Sequence, residues 1–130
     1  MGFLDSYKRL ERLCRDVMGD DRRVSAYIDE MVRLSDGARQ VSGWDRDLKR
    51  LKHYRWIRNQ IVHEPDCSEE TMCGQEDVRW LEDFYERIMT QTDPLALYRG
   101  TTQEEKRPGE RAGCLTVLAC AVLVIVTLML

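Results

Sequence analysis

The sequence predicts an all-α protein, an antiparallel four-helix bundle followed by a C-terminal single transmembrane helix. Three observations lead there. From Phe3 to Met89 apolar residues recur every three or four positions with charged residues between them, the signature of helices that bury one face. No segment sustains the alternation of a half-buried strand. The last 19 residues, 112–130, carry no charge at all.

Phe3, Leu4, Tyr7, Leu10, Leu13, Cys14, Val17 and Met18 mark the first helix, stopped by Gly19 and the Asp20-Asp21 pair. Met1-Gly2-Phe3-Leu4-Asp5-Ser6 fits an acylation pattern, but Phe3 and Leu4 open the apolar stripe and read as packing. Val24, Tyr27, Ile28, Met31, Val32 and Leu34 give a second helix ending near Gly37. Ser42-Gly43-Trp44-Asp45 has the form of a helix start, with Ser42 capping and Asp45 reaching back. A third helix follows, with Trp44, Leu48, Leu51, Tyr54, Ile61 and Val62 on one side, and Pro65 ends it. Residues 66–75 read as loop or short turn. Val78, Leu81, Phe84, Tyr85, Ile88 and Met89 then define the fourth helix, with one more turn expected over Pro94–Leu97.

These elements make residues 1–99 one helical domain. Residues 100–111, rich in Thr, Gln, Glu, Lys, Arg and Gly, read as a flexible polar linker. Residues 112–130 read as a tail anchor, because a helix of that length spans roughly 28 Å, close to the thickness of a bilayer's hydrocarbon. Lys106, Arg107 and Arg111 flank it on the upstream side only, which predicts a single-pass protein of the cell membrane with a cytoplasmic domain.

The formal net charge of −3 argues against wholesale coating of nucleic acid, yet six Lys or Arg residues lie between Arg46 and Arg58. The five cysteines have no metal-like spacing. A Cys67–Cys73 disulfide is left open, with no secretory signal to favour it. Two histidines without His-Glu-x-x-His spacing, and no glycine-rich phosphate loop, predict no metal, no cofactor and no DNA ligand.

Arg58, Asn59 and His63 are the candidate catalytic residues. Arg58 falls within the apolar stripe of the third helix, where a permanent charge requires a partner. Asn59 and His63 are one turn apart, so the amide is placed to orient the imidazole. Arg58 and His63 lie about 140° apart around an ideal helix. They converge only if the helix loosens before Pro65 or a second subunit completes the site. The plainer reading is structural: Arg58 paired with an acid such as Glu30 or Asp83, and His63 at the helix C-terminus, where its charge suits the dipole. His53 should point to solvent, and Trp56 outward or towards a partner. The other tryptophans read as packing.

The run Arg58-Asn59-Gln60-Ile61-Val62-His63, near the end of a late helix in a small bundle, resembles the R-N-x-x-x-H signature of the HEPN superfamily. The likeness covers about Phe3 to Met89, and Asp93-Pro94-Leu95-Ala96-Leu97-Tyr98 resembles an ending found in uncharacterised bacterial proteins of this type. The resemblance implies a dimeric, metal-independent endoribonuclease acting on RNA, with Arg58, Asn59 and His63 at the site. Toxin members of the superfamily often carry a tyrosine two residues after the histidine, modified by their antitoxin; Pro65 stands there in this chain. The expectations therefore divide between a membrane-tethered homodimeric ribonuclease, a non-catalytic dimerising or nucleotide- and RNA-binding module at the bilayer, and a purely structural role for the motif.

Overall fold

The computed structural model describes residues 2–106, and it is all-helical there: α1 (Phe3–Met18), α2 (Val24–Arg33), α3 (Gly37–Gln40), α4 (Trp44–His63), α5 (Glu69–Met72), α6 (Gln75–Met89) and α7 (Pro94–Lys106). Residues up to Tyr98 form one compact unit, and a second begins at Arg99. Among the described residues no helix is long and apolar enough to cross a membrane. The expected span at 112–130 lies outside them.

In the first unit α1 packs on both α2 and α6, and α2 packs on α4. The reason is visible in α1, where Phe3, Tyr7, Leu10 and Cys14 follow the three-and-four spacing and are all buried. Gly19 ends the helix, its amide returning to the Arg15 carbonyl at 2.8 Å. At the other end the Leu4 amide donates to the Glu69 carboxylate of α5 at 2.5 Å, so the segment expected as loop or short turn holds a four-residue helix whose acid caps α1. Phe3 is buried, in keeping with its reading as packing.

The second helix stops at Arg33, earlier than expected, and the chain turns into α3. The cause is Trp44. Its indole lies over Gly37 so closely that a β-carbon there would stand 2.1 Å from Cε2. Gly43 takes a positive φ of 78° and is the residue preceding α4, with no side-chain capping bond. The expected cap from Ser42 with Asp45 reaching back is therefore absent: the left-handed turn at Gly43 aims Trp44 into the core instead. Ile57, which the apolar pattern did not single out, is buried on α4, whereas Val62 is 50% exposed. Met89, expected inward on α6, is exposed as well.

Three polar ties join distant elements. The Tyr27 hydroxyl donates to Asp93 Oδ2 at 2.5 Å and accepts the Leu95 amide at 3.2 Å. Asp93 also accepts from the Ala96 amide at 3.4 Å, so an acid followed by Pro94 starts α7 in the preferred way. The Tyr54 hydroxyl donates to Asp77 at 2.8 Å, and Asp77 caps α6 through the Gly74 amide at 2.8 Å. Buried Asp47 accepts from Arg87 at 2.7 Å. Helix α7 runs well past the single expected turn, so residues 100–106, read as the start of a flexible linker, are helical. Cys14, Cys67 and Cys73 are free thiols.

Two outcomes follow for stability. Gly37→Ala drives a methyl group into Trp44 and should destabilise the fold by about 1–3 kcal/mol, read from urea denaturation. Burial pushes the Cys14 thiol up from its ordinary 9.0 to about 12, with Asp93 and Glu11 adding to the effect. The folded state therefore holds a proton that the unfolded chain releases first. Cys14's contribution is complete below pH 9.0 and is lost as pH rises through about 12. In Cys14→Ala the decline of the denaturation midpoint with pH over that window should be shallower.

Candidate functional site

Between α1, the start of α2 and the middle of α4 lies an open cleft of about 250 Å³. Four arginines line it, Arg22, Arg23, Arg55 and Arg58, together with Asn59, Ser25, Tyr7 and the acids Glu11 and Asp21. Each arginine is held differently. Arg22 is clasped by Asp20 and Asp29, both at 2.9 Å. Arg55 reaches the Ser25 hydroxyl at 3.3 Å. Arg23 and Arg58 share one carboxylate, that of Glu11.

Glu11 is the buried centre of this arrangement, its side chain only 10% exposed. It sits on the apolar stripe of α1, one turn from both Tyr7 and Cys14. Its Oε2 accepts from Arg23 Nη1 at 2.9 Å, and its Oε1 stands 3.6 Å from Arg58 Nε. The shorter contact is a hydrogen bond; the longer is an ion pair alone. Burial, with Glu11 beside it, pushes the Tyr7 hydroxyl well above the ordinary tyrosine range, so Tyr7 enters the cleft as a neutral group. The backbone also bends to this purpose. Arg23 has φ 60° and ψ −120°, a conformation that L-residues rarely adopt and that costs on the order of 1–3 kcal/mol.

Arg58 and Asn59 are brought together on this wall. Arg58 is 35% exposed and donates from Nη1 to Asn59 Oδ1 at 3.0 Å. The amide expected to orient the imidazole is thus turned towards the guanidinium, a charged donor one residue away. The expected acid partners of Arg58 are also replaced. Glu30 pairs with Arg33 on its own helix, and the carboxylate that meets Arg58 comes from α1.

His63 stands apart. It is the last residue of α4, exposed, and does not line the cleft. Its side chain makes no hydrogen bond or ion pair with the described residues. The helix stays regular through His63, and Pro65 acts only after it, so the loosening that would carry His63 towards Arg58 does not occur. Sequence reasoning missed Glu11 and Arg23. A signal for Glu11 was present, since a carboxylate within an apolar stripe is the same anomaly that singled out Arg58. Arg23 carried none, because strain before a helix has no side-chain pattern.

A family described as a family of unknown function (DUF6548) matches residues 1–112, and the chain belongs to it. No curated protein and no solved structure matches the chain.

The burial of the two partners sets the expected cost of breaking the pair. Arg58→Ala removes a group that reaches water and leaves Glu11 bound to Arg23, so the loss should stay under about 1 kcal/mol. Glu11→Gln removes the charge that two guanidiniums share and should cost about 1–3 kcal/mol. Thermal and urea denaturation of both variants would test this order. A loss at Arg58→Ala as large as that at Glu11→Gln contradicts it.

Proposed function

Since the family gives no activity to carry over, we propose a function from the site itself. The chain is a HEPN-like antiparallel four-helix bundle, anchored by residues 112–130 in the cell membrane with its domain in the cytoplasm, and it cuts RNA as a homodimer without metal. One observation carries this reading: Arg58 and Asn59 sit together on the open wall of an arginine-rich cleft, while His63 stands exposed at the end of the same helix.

The chemistry divides between two chains. An RNA phosphate enters the cleft and takes Arg58 from its longer contact with Glu11, which Arg23 continues to satisfy. Arg58 then offsets the charge that grows on the phosphorane oxygens, and its planar fork suits them. Asn59 bonds the guanidinium or a phosphate oxygen. The second copy's His63 takes the proton from a ribose 2′-hydroxyl. The 2′-oxygen bonds to phosphorus, the bond from phosphorus to the 5′-oxygen breaks, and that leaving oxygen takes a proton from water, whose hydroxide the imidazolium then neutralises. The products are a 2′,3′-cyclic phosphate and a 5′-hydroxyl. One chain does not bring its own His63 to a phosphate held by its Arg58, so the reaction needs the dimer.

A second reading rests on a specific observation. Glu11 already pairs with Arg58, and His63 lies outside the cleft, as suits a non-catalytic dimerising module that binds RNA or nucleotides at the membrane.

Full-length chain in detergent, incubated with end-labelled RNA in EDTA, distinguishes the two. The ribonuclease reading expects cleavage with 2′,3′-cyclic ends. That activity should fall at least about 100-fold in Arg58→Ala and in His63→Ala. Dimeric protein that binds RNA and leaves it uncut supports the second reading.

A further inference from the structure

The outward face of α4 takes no part in the cleft. Trp56 is 51% exposed on it. Its ring lies nearly parallel to that of His53, with centroids 6.2 Å and planes 20° apart, and His53 in turn rests 5.5 Å from buried Tyr54. The platform is thus braced from behind. Lys49, Trp56 and His63 recur at seven-residue intervals and share one line along the helix, with Lys52 beside it. All of these side chains are exposed. From Lys49 to His63 the helix carries no acidic residue.

Charge selects the occupant. A second copy laid along the Lys49–Trp56 stretch would meet it with the same lysines and no acid on the stretch to pair them, which is unfavourable. The dimer proposed above needs contact only at the His63 end. A polyanion whose rings are free to stack satisfies both the lysines and the indole.

We infer that Trp56, braced by His53, is a stacking platform for an unpaired base of single-stranded RNA, with Lys49 and Lys52 holding the adjoining phosphates. The inference rests on the RNA reading above and deepens it by naming a residue that positions the strand and selects for single strands. Trp56 precedes His63 by two helical turns, about 10 Å. That is the rise of roughly three stacked nucleotides, so a base parked on Trp56 places a nearby phosphodiester at the His63 end. Trp56 acts through the strand and is a positioning residue.

The test uses full-length chain in detergent and a fluorescent single strand of about twelve nucleotides, with 2′-O-methyl riboses so that nothing is cut. Fluorescence anisotropy of Trp56→Ala should show single-strand binding weakened roughly 5- to 100-fold, while Trp56→Phe retains most of it. A duplex of the same sequence should bind both proteins alike. A single strand with abasic sites should no longer distinguish wild type from Trp56→Ala, a result that a structural role for Trp56 would not give. Unchanged single-strand affinity in Trp56→Ala, or equal losses for single strand and duplex, overturns the inference. Conversion of a dimer to monomers by Trp56→Ala, seen in sedimentation, overturns it in favour of a second copy on this face. If wild type cuts and binds RNA normally while Trp56→Ala does the same, the platform alone fails. If wild type binds no RNA, the RNA reading fails with it.

Discussion

A guanidinium rooted in an apolar helix stripe needs an opposite charge beside it, and Glu11 is the one this chain provides. The carboxylate is taken out of water on α1 and shared between Arg23 and Arg58. Burial of a charge is unfavourable unless the partners are close and hydrogen-bonded, and here the closer partner is Arg23, at 2.9 Å against 3.6 Å for Arg58. The asymmetry has a functional consequence. Glu11 stays satisfied if Arg58 leaves, so Arg58 is the one member of the trio that can turn to an incoming anion without stranding a buried charge. The unfavourable backbone of Arg23 is explained by the same economy, since that conformation keeps the closer guanidinium on Glu11.

The remaining polar ties hold the walls of the cleft in place. Tyr27 belongs to the helix whose first turn lines the cleft, and its bonds to Asp93 and to the Leu95 amide join that helix to the start of α7. Tyr54 lies one residue before Arg55 and is tied to the beginning of α6 through Asp77. Asp47 anchors the N-terminal half of α4 to α6 through Arg87. Each tie is a buried or half-buried polar group with a partner at the end of another helix, so each restricts sliding of α2 or α4 in a way that apolar packing alone does not.

Much of this was legible in the sequence, and the failures share a cause. Periodicity gives the angle of a residue around its own helix, so the outward positions of Trp56 and His53 and the interruption of a stripe by Arg58 were readable. It does not say which helix stands opposite. Glu30 and Asp83 were the expected partners of Arg58, and Glu11 of α1 is the actual one; only the start of α2 lines the cleft, and Glu30, further along that helix, pairs with Arg33. Local cap chemistry misled at Ser42 for a related reason: the packing of Trp44 over Gly37 overrode a favourable cap. Val62 and Met89 sit at helix ends, where an apolar residue fits the stripe by angle but passes beyond the neighbouring helix.

Helix α4 presents two chemistries that a single chain cannot combine. Arg55 and Arg58 face the cleft, while Lys49, Trp56 and His63 share a line roughly 80–180° around the same cylinder. Asn59 lies between the two, bonded to Arg58. A rigid helix that is regular to its last residue keeps these faces apart, so any chemistry needing both guanidinium and imidazole at one phosphate must draw them from different copies. On the proposed reading that separation works as a control. A monomer holds phosphate and imidazole on different faces and is inactive, and activity appears only where two domains meet. On the same reading, confinement of the domains to a membrane would raise their local concentration and favour that meeting, and a tethering tail would then take a direct physical part in activation.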